Sequence, residues 1–289
     1  MNRIASTFVL AGFVTALVGG CGGGASTEPT VTIKSATESK VDPDGGIKDP
    51  PPGGTAAGRY GTLKGKVIIE GWNSKLTPLA IKGKANKDPT VCAADGNIPD
   101  QRMVVGPNGE LANVFIYLRK MPKGGIPSGD LPVKKFDQKG CIFLPHAMVY
   151  QAGQVVRVLS GDAVPHNTKT DPKRNSGENF QVPANDRDGA NKINLASGEQ
   201  APFLVQCSFH SWMKAWHLVL DHPYGAVTKK DGSFEIPNLP AGKHKFRIWH
   251  ENANDKNRLL DGGFEITIEA GDEPTEISPI KYSSALFKP

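Results

Sequence analysis

The chain has 289 residues, with 34 Lys and Arg against 29 Asp and Glu and a formal net charge of +5. That excess is mild, and the basic residues alternate with acidic ones instead of forming a block. Nothing in the balance marks a nucleic-acid surface.

The first twenty residues, MNRIASTFVLAGFVTALVGG, place Arg3 ahead of an apolar run that ends in small residues just before Cys21. This is the build of a secretory signal, and it is too short for a confident membrane span. The sequence VGGC resembles the lipobox of bacterial lipoproteins. That resemblance implies that Cys21 is the acylated first residue of a mature, exported, membrane-anchored chain, periplasmic or at the cell surface. In lipoproteins Gly22, standing where Asp would otherwise follow, leans toward an outer membrane. Residues 21–59 are rich in Gly, Pro, Ser, Thr and charge and poor in core-forming side chains. They read as a flexible tether. Export puts Cys92, Cys141 and Cys207 in an oxidising compartment, where three cysteines leave one without a partner.

From residue 60 the pattern changes to short runs of β-branched and aromatic residues. GKVIIEG (65–71), ANVFIYLRK (112–120), HAMVYQAGQVVRVLSGD (146–162), FLVQCSF (203–209), KAWHLVLDH (214–222), SFEIPN (233–238), HKFRIWHE (244–251) and GGFEITIEA (262–270) all read as strands. GPNG, SGD, KKDGS and LPAG punctuate them as turns. Residues 167–200 are polar and read as loop, with short edge strands around FQV and KINL. Past the signal no window carries a helical stripe, so the expected class is all-β, of sandwich type.

The stretch CSFHSWM holds Cys207, His210 and Met213 between two predicted strands. A tight loop there can aim three ligands at one point. A fourth comes from VPHN, where His166 follows the strand VVRVLSGD. Two imidazoles, a thiolate and a weak axial thioether form the donor set of a blue-copper electron-transfer site, because thiolate and thioether suit Cu(I) while imidazole also accommodates Cu(II). Zinc prefers a closed tetrahedral set and seldom recruits Met. The expected cofactor is one copper ion, and if Cys92 pairs with Cys141, ligation would protect the remaining Cys207 thiol.

C-x-x-H-x-x-M preceded by a PHN histidine resembles the cupredoxin family, with a short ligand loop similar to that of the amicyanins. The resemblance implies a Greek-key cupredoxin-type β-sandwich with copper held by His166, Cys207, His210 and axial Met213. It implies that Asn167 ties the two ligand loops together by hydrogen bonding near the cysteine. It also makes His210 the exposed electron port, ringed by apolar Phe209 and Trp212. Ser211 and Trp212 stand where amicyanin-like loops carry prolines, so the potential and partner surface are expected to differ. By the same resemblance Cys92 bridges Cys141, closing a loop that contributes roughly 4 kcal/mol in the chain-entropy model. The remaining histidines, His146, His217, His222, His244 and His250, are expected to be structural.

AVTKKDGSFEIPNLPAGKHKFRIWHE, residues 226–251, resembles the carboxypeptidase regulatory-like (transthyretin-type) β-sandwich, as do GTLKGKVIIEG and ELANVFIYLRK. The expected division is a copper domain over 60–222 and this additional small β-sandwich portion over 223–289. A composite sandwich pairing residues 60–120 with 224–289 is the other arrangement open. Together these readings imply a lipid-anchored carrier that exchanges one electron with an extracytoplasmic redox protein and binds no nucleic acid. A copper-storage protein and a metal-free surface binding module are the alternatives. An enzyme is least supported: the paired H-x-H sequences of multicopper oxidases are absent, as are a phosphate loop and a Ser-His-Asp context.

Overall fold

The computed structural model describes residues 59–122, 126 and 129–288. Cys21, the signal and nearly all of the tether lie outside the described residues. In chain order the strands are β1 (Tyr60–Glu70), β2 (Phe115–Leu118), β3 (Lys134–Gln138), β4 (Phe143–Leu144), β5 (Ala147–Gln151), β6 (Val156–Val158), β7 (His166–Thr170), β8 (Asn179–Val182) and β9 (Lys192–Ile193). They continue as β10 (Phe203–Gln206), β11 (Lys214–Leu220), β12 (Gly225–Val227), β13 (Ser233–Pro240), β14 (Gly242–Trp249), β15 (Leu259–Ile268), β16 (Thr275–Glu276) and β17 (Ile280–Ser283). A 3-10 turn, Ser284–Leu286, follows. The protein is all-β, as its alternating apolar runs predict.

Four sheets build two sandwiches. One is made of β5-β11-β10-β7-β8 and β4-β3-β6-β9. Between them lie Phe136, Phe143, Tyr150, Val156, Val158, Val182, Ile193, Val205, Met213 and Val219, all buried. The other sandwich is made of β13-β1-β16, with β17 also on β1, and β12-β2-β14-β15. Its core holds Leu63, Val67, Leu111, Ile116, Ile236, Phe246 and Ile248. Burying such side chains fully is worth about 1.5–3 kcal/mol each before the entropy of ordering them is subtracted.

Strand alternation joins the two sandwiches. Along β11, Ala215 and Val219 enter the first core, while Leu218, Leu220 and the partly buried Trp216 face a third cluster with Phe115, Tyr117, Ala147 and Trp249. Along β2, Ile116 and Leu118 face the second core and Phe115 and Tyr117 the third. Successive side chains point to opposite faces, so a sheet covered on both sides reads as a continuous apolar run such as FIYL or HLVL. Trp249 closes this seam with ring contacts to Phe115 at 5.4 Å and to Trp216 at 5.0 Å.

Strands β1 and β2 do not pair with the sheets that directly follow them in the chain. Strand β1 pairs antiparallel with β13, from Tyr60 opposite Pro240 to Lys66 opposite Ser233, and parallel with β17. Strand β2 lies between β12 and β14. These pairings run between residues 60–118 and 225–283, with the strands of the first sandwich lying between the two in sequence. The DG turn that returns the chain to β1 needs its glycine. Gly232 has φ +73, and a Cβ there would lie 2.6 Å from the Val67 carbonyl oxygen.

A second difference is β7. HNTKT reads as loop because it is polar, yet His166, Asn167, Thr168 and Thr170 are buried. Their polar groups are satisfied inside the fold: Thr168 Oγ1 accepts from Gln138 Nε2 at 3.3 Å, and Thr170 Oγ1 accepts from the Glu178 N–H at 2.8 Å. Hydrogen bonding makes this polar strand admissible in a core.

His217 has no such partner. Neither ring nitrogen is hydrogen-bonded, and the ring sits among Phe136, Tyr150 and Phe203. Burial pushes its pKa down to about 3. An unfolded histidine titrates near 6.5 (about 6.5 in model peptides), so the stability tied to the neutral ring is complete above that pH and is lost as pH falls toward the folded value. Between pH 7 and pH 5 the unfolding free energy of the wild type should therefore drop about 2 kcal/mol more than that of His217→Phe, measured by urea denaturation. Equal losses in the two proteins would refute the linkage. A second expectation comes from the strand pairing: a fragment of residues 60–222 strips β1 of β13 and β17, and β2 of β12 and β14. It should aggregate or lack cooperative unfolding, and a soluble, cooperatively folded monomer would contradict the composite arrangement.

Candidate metal centre

Three neighbouring strands bring three of the expected ligands together, His166, Cys207 and His210. Strands β10 and β11 are antiparallel, with Gln206 opposite Lys214, so residues 207–213 must turn back within one loop. The loop closes on itself through Cys207 N–H to the Met213 carbonyl at 3.1 Å and Met213 N–H to the His210 carbonyl at 2.9 Å. On the other side of β10 lies β7, with Gln206 opposite Lys169. His166 opens β7, which places it beside Cys207.

The donor atoms of His166, Cys207 and His210 all lie within 4.8 Å of one another, and all three residues are buried. His166 Nδ1 stands 3.1 Å from His210 Nδ1, and Cys207 Sγ stands 3.8 Å from His210 Nδ1. Two other groupings of donors adjoin this one, but both include Cys92 or Cys141, whose sulfurs are joined in a disulfide. Cys207 is the free cysteine among the described residues. Met213 is fully buried in the same loop and also lines a cavity of about 190 Å³ with Trp212, Ile142 and Lys214.

The outer nitrogens of the two rings are already committed. His166 Nε2 is 2.8 Å from Asp162 Oδ2, and His210 Nε2 is 2.9 Å from Asp88 Oδ2. A carboxylate can only accept, so each Nε2 carries the hydrogen. Asp162 is further held by N–H groups of Gly140 at 2.6 Å and Cys141 at 2.8 Å. Burial raises the Asp162 pKa, but His166 and these two donors outweigh it and keep the group below its usual range. With both outer hydrogens donated away, the two Nδ1 atoms and the Cys207 sulfur turn toward a common point.

Cys207 is prepared to be a thiolate. Burial opposes ionisation, but His166, His210 and the Asn167 N–H overcome it and lower the pKa to about 6. Burial likewise pulls His166 down, while Asp162 and Cys207 lift it to about 9. Without a metal the Cys207 thiolate is thus paired with a protonated His166, and a bound cation would take the place of that proton. The spacings suit one: with metal–nitrogen bonds of about 2.0–2.1 Å and a metal–sulfur bond of about 2.3 Å, donors spread by 100–120° lie about 3.1–3.6 Å apart for N and N and about 3.4–3.8 Å for N and S. The observed 3.1 Å and 3.8 Å lie at the limits of these ranges.

Asn167 spans the two loops. Its N–H donates to Cys207 Sγ at 3.2 Å, and its Oδ1 accepts from the Ser208 N–H at 3.1 Å. Its Nδ2 donates to Asn179 Oδ1 at 2.8 Å and to the Phe180 carbonyl at 3.1 Å. The disulfide joins Cys92 to Cys141.

The expectation for His210 requires correction. It is not an exposed port: its relative exposure is 0 %. Residues 80–98 fold over this end of the sandwich, with Ala80, Ala85, Ala93 and Ile98 packed into the first core, and bring Asp88 onto the ring. Phe209 is the exposed neighbour, while Trp212 lies half-buried with its ring 5.2 Å from that of His210 and its Nε1–H donating to the Cys141 carbonyl at 3.0 Å. Asp162 lies four residues before His166 and was open to discovery as a neighbour of the VPHN turn. Asp88 carries no local signal. His146 and its partner Glu251 line the cavity beside Met213 and Trp212, while His250 is buried and His244 Nε2–H donates to the Pro240 carbonyl of its own hairpin at 2.7 Å.

No protein-family model matches the chain, and no curated protein matches it significantly. Among solved structures it is similar to a Cu-containing nitrite reductase from Thermus scotoductus SA-01, at 20% identity and a TM-score of 0.26, over 34% of this chain and 24% of that one. The chain thus spans about a quarter of the length of that reductase chain. It is similar to a purple cupredoxin from Nitrosopumilus maritimus, at 18% identity and a TM-score of 0.25, over 30% of this chain and 98% of the other. It is also similar to amicyanin from Paracoccus versutus, at 15% identity and a TM-score of 0.25, over 36% of this chain and 96% of the other.

Proposed function

We propose that this protein is a type 1 copper protein that passes single electrons to or from an extracytoplasmic redox protein, anchored to a membrane by lipid on Cys21. The observation that carries the reading is the meeting of His166 Nδ1, His210 Nδ1 and Cys207 Sγ while both Nε2 atoms are bonded to carboxylates. Bound there, a copper ion would supply one-electron chemistry between Cu(I) and Cu(II). His166, His210 and the Cys207 thiolate would hold it, with Met213 as a further, weak thioether donor.

The chain's own part is to keep that donor set fixed in both oxidation states. Asp162 and Asp88 orient the rings and raise their basicity. The Asn167 N–H on Cys207 Sγ stabilises the thiolate and restrains its direction. The apolar wall behind the loop, with Met213, Ala215 and Val205, excludes water and limits rearrangement.

A second reading rests on the burial of His210. A ligand ring with no exposed edge suits a protein that stores copper without passing electrons. The two readings differ in rate: a carrier exchanges electrons rapidly with a small redox protein, and a store does so slowly. Copper loading of the full chain should produce an intense visible thiolate-to-Cu(II) absorption, and Cys207→Ser should abolish it. A wild-type protein fully loaded with Cu(II) yet colourless would reject both a blue-copper carrier and this ligand set.

A further inference from the structure

The two carboxylates on the imidazoles are not independent of each other. Asp88 begins a tight turn, its carbonyl accepting from the N–H of Val91 at 3.0 Å and of Cys92 at 2.7 Å. Cys92 is disulfide-bonded to Cys141, and the Cys141 N–H donates to Asp162 Oδ2 at 2.8 Å. An unbroken chain therefore runs from His210 through Asp88, the turn, the disulfide and Asp162 to His166. It is short: a His210 ring nitrogen lies within 4.8 Å of both half-cystine sulfurs, and Cys141 Sγ, an Asp162 oxygen and a His166 nitrogen lie equally close together. Trp212 adds a third attachment, donating to the Cys141 carbonyl.

We infer that Asp88, the Cys92–Cys141 disulfide and Asp162 form one clasp that positions both imidazoles, so that the disulfide sets metal affinity as well as closing a loop. This rests on the metal reading above and names the parts that tune it. Asp88 and Asp162 are positioning residues, since they act on the metal through the rings. Without the disulfide, Asp88 sits on a turn whose other ties to the core are Ala80, Ala85, Ala93 and Ile98, with Val91 packed against them, and none of these holds the Asp88 carboxylate itself. His210 then loses the partner that fixes its Nε2. The clasp also explains why this cysteine pair is placed beside the site and not across a distant loop. Because Asp88 brings negative charge to the outer nitrogen, it favours the more highly charged ion and lowers the reduction potential.

Backbone geometry chooses the variants. Asp88 has φ +48, a left-handed conformation that Gly and Asn adopt readily and Ala does not. Asp88→Gly removes the carboxylate without straining the turn, and Asp88→Asn keeps an oxygen acceptor without the charge. On the full chain, Cu(I) affinity is read by competition with a chromogenic Cu(I) chelator and the potential by spectroelectrochemical titration. Asp88→Gly should weaken copper binding by about 10–100-fold, the usual effect of losing an outer partner of a ligating histidine, and should raise the potential. Asp88→Asn should recover most of the affinity but keep the raised potential, a split that a merely structural role would not produce. Cys92→Ala/Cys141→Ala should lose affinity as Asp88→Gly does. Wild-type affinity and potential in Asp88→Gly would overturn the clasp. If the wild type itself takes up no copper, the metal reading fails, and the clasp is judged on the metal-free chain by nitrogen-15 NMR: it predicts a slowly exchanging His210 Nε2–H that Asp88→Gly loses, and a wild type lacking that protected hydrogen would overturn it.

Discussion

Two imidazole rings whose outer nitrogens each donate to a carboxylate can face one another at 3.1 Å, with a thiol 3.8 Å away, only if positive charge lies among their inner atoms. Lone pair against lone pair is repulsive, and burial leaves no water to relieve it. A proton or a metal ion meets the demand. A proton satisfies one donor pair, whereas a copper ion satisfies both nitrogens and the sulfur together. Much of the first sandwich can be understood as the frame that holds this unfavourable arrangement in place.

That frame is stiff for identifiable reasons. Strand β10 is hydrogen-bonded on both sides, to β7 and β11, so neither ligand loop moves without disturbing a sheet. Strand β11, which carries the chain away from the loop, is buried on both faces because the second sandwich covers it through Phe115, Tyr117 and Trp249. The second sandwich thus bears on the site at one remove: it buries the back of the strand that positions Met213. Residues 80–98 cover the opposite end, held by the disulfide and by the Asp88 contact to His210. Covering the ring costs the site an exposed imidazole edge and gains a shield from solvent.

Most of the architecture was legible because a pattern of apolar residues at period two needs no knowledge of distant chain. The clustered donors were legible for a different reason: His166, Cys207 and His210 are infrequent residue types, standing at strand ends that neighbour one another. What could not be read depends on tertiary contact. Strand β7 is polar and became a strand only because Gln138 and Glu178, from other segments, satisfy Thr168 and Thr170. Asp88 looks like any surface aspartate until the chain from residue 80 to 98 folds over His210. The partners of β1 lie far along the chain, and local propensity cannot choose between a partner in the next segment and one near the C-terminus. The same blindness made His210 an exposed port, because the resemblance that supplied its role said nothing of a covering segment particular to this chain.

The central claim is that one ion sits among two imidazole nitrogens and the Cys207 sulfur. X-ray absorption at the copper edge on the loaded full chain tests it most directly. The account predicts two nitrogen scatterers at about 2.0 Å and one short sulfur scatterer at about 2.2–2.3 Å, close to the bond lengths such ligands form with a first-row ion. A first shell of nitrogen and oxygen alone, with no short sulfur, would contradict it.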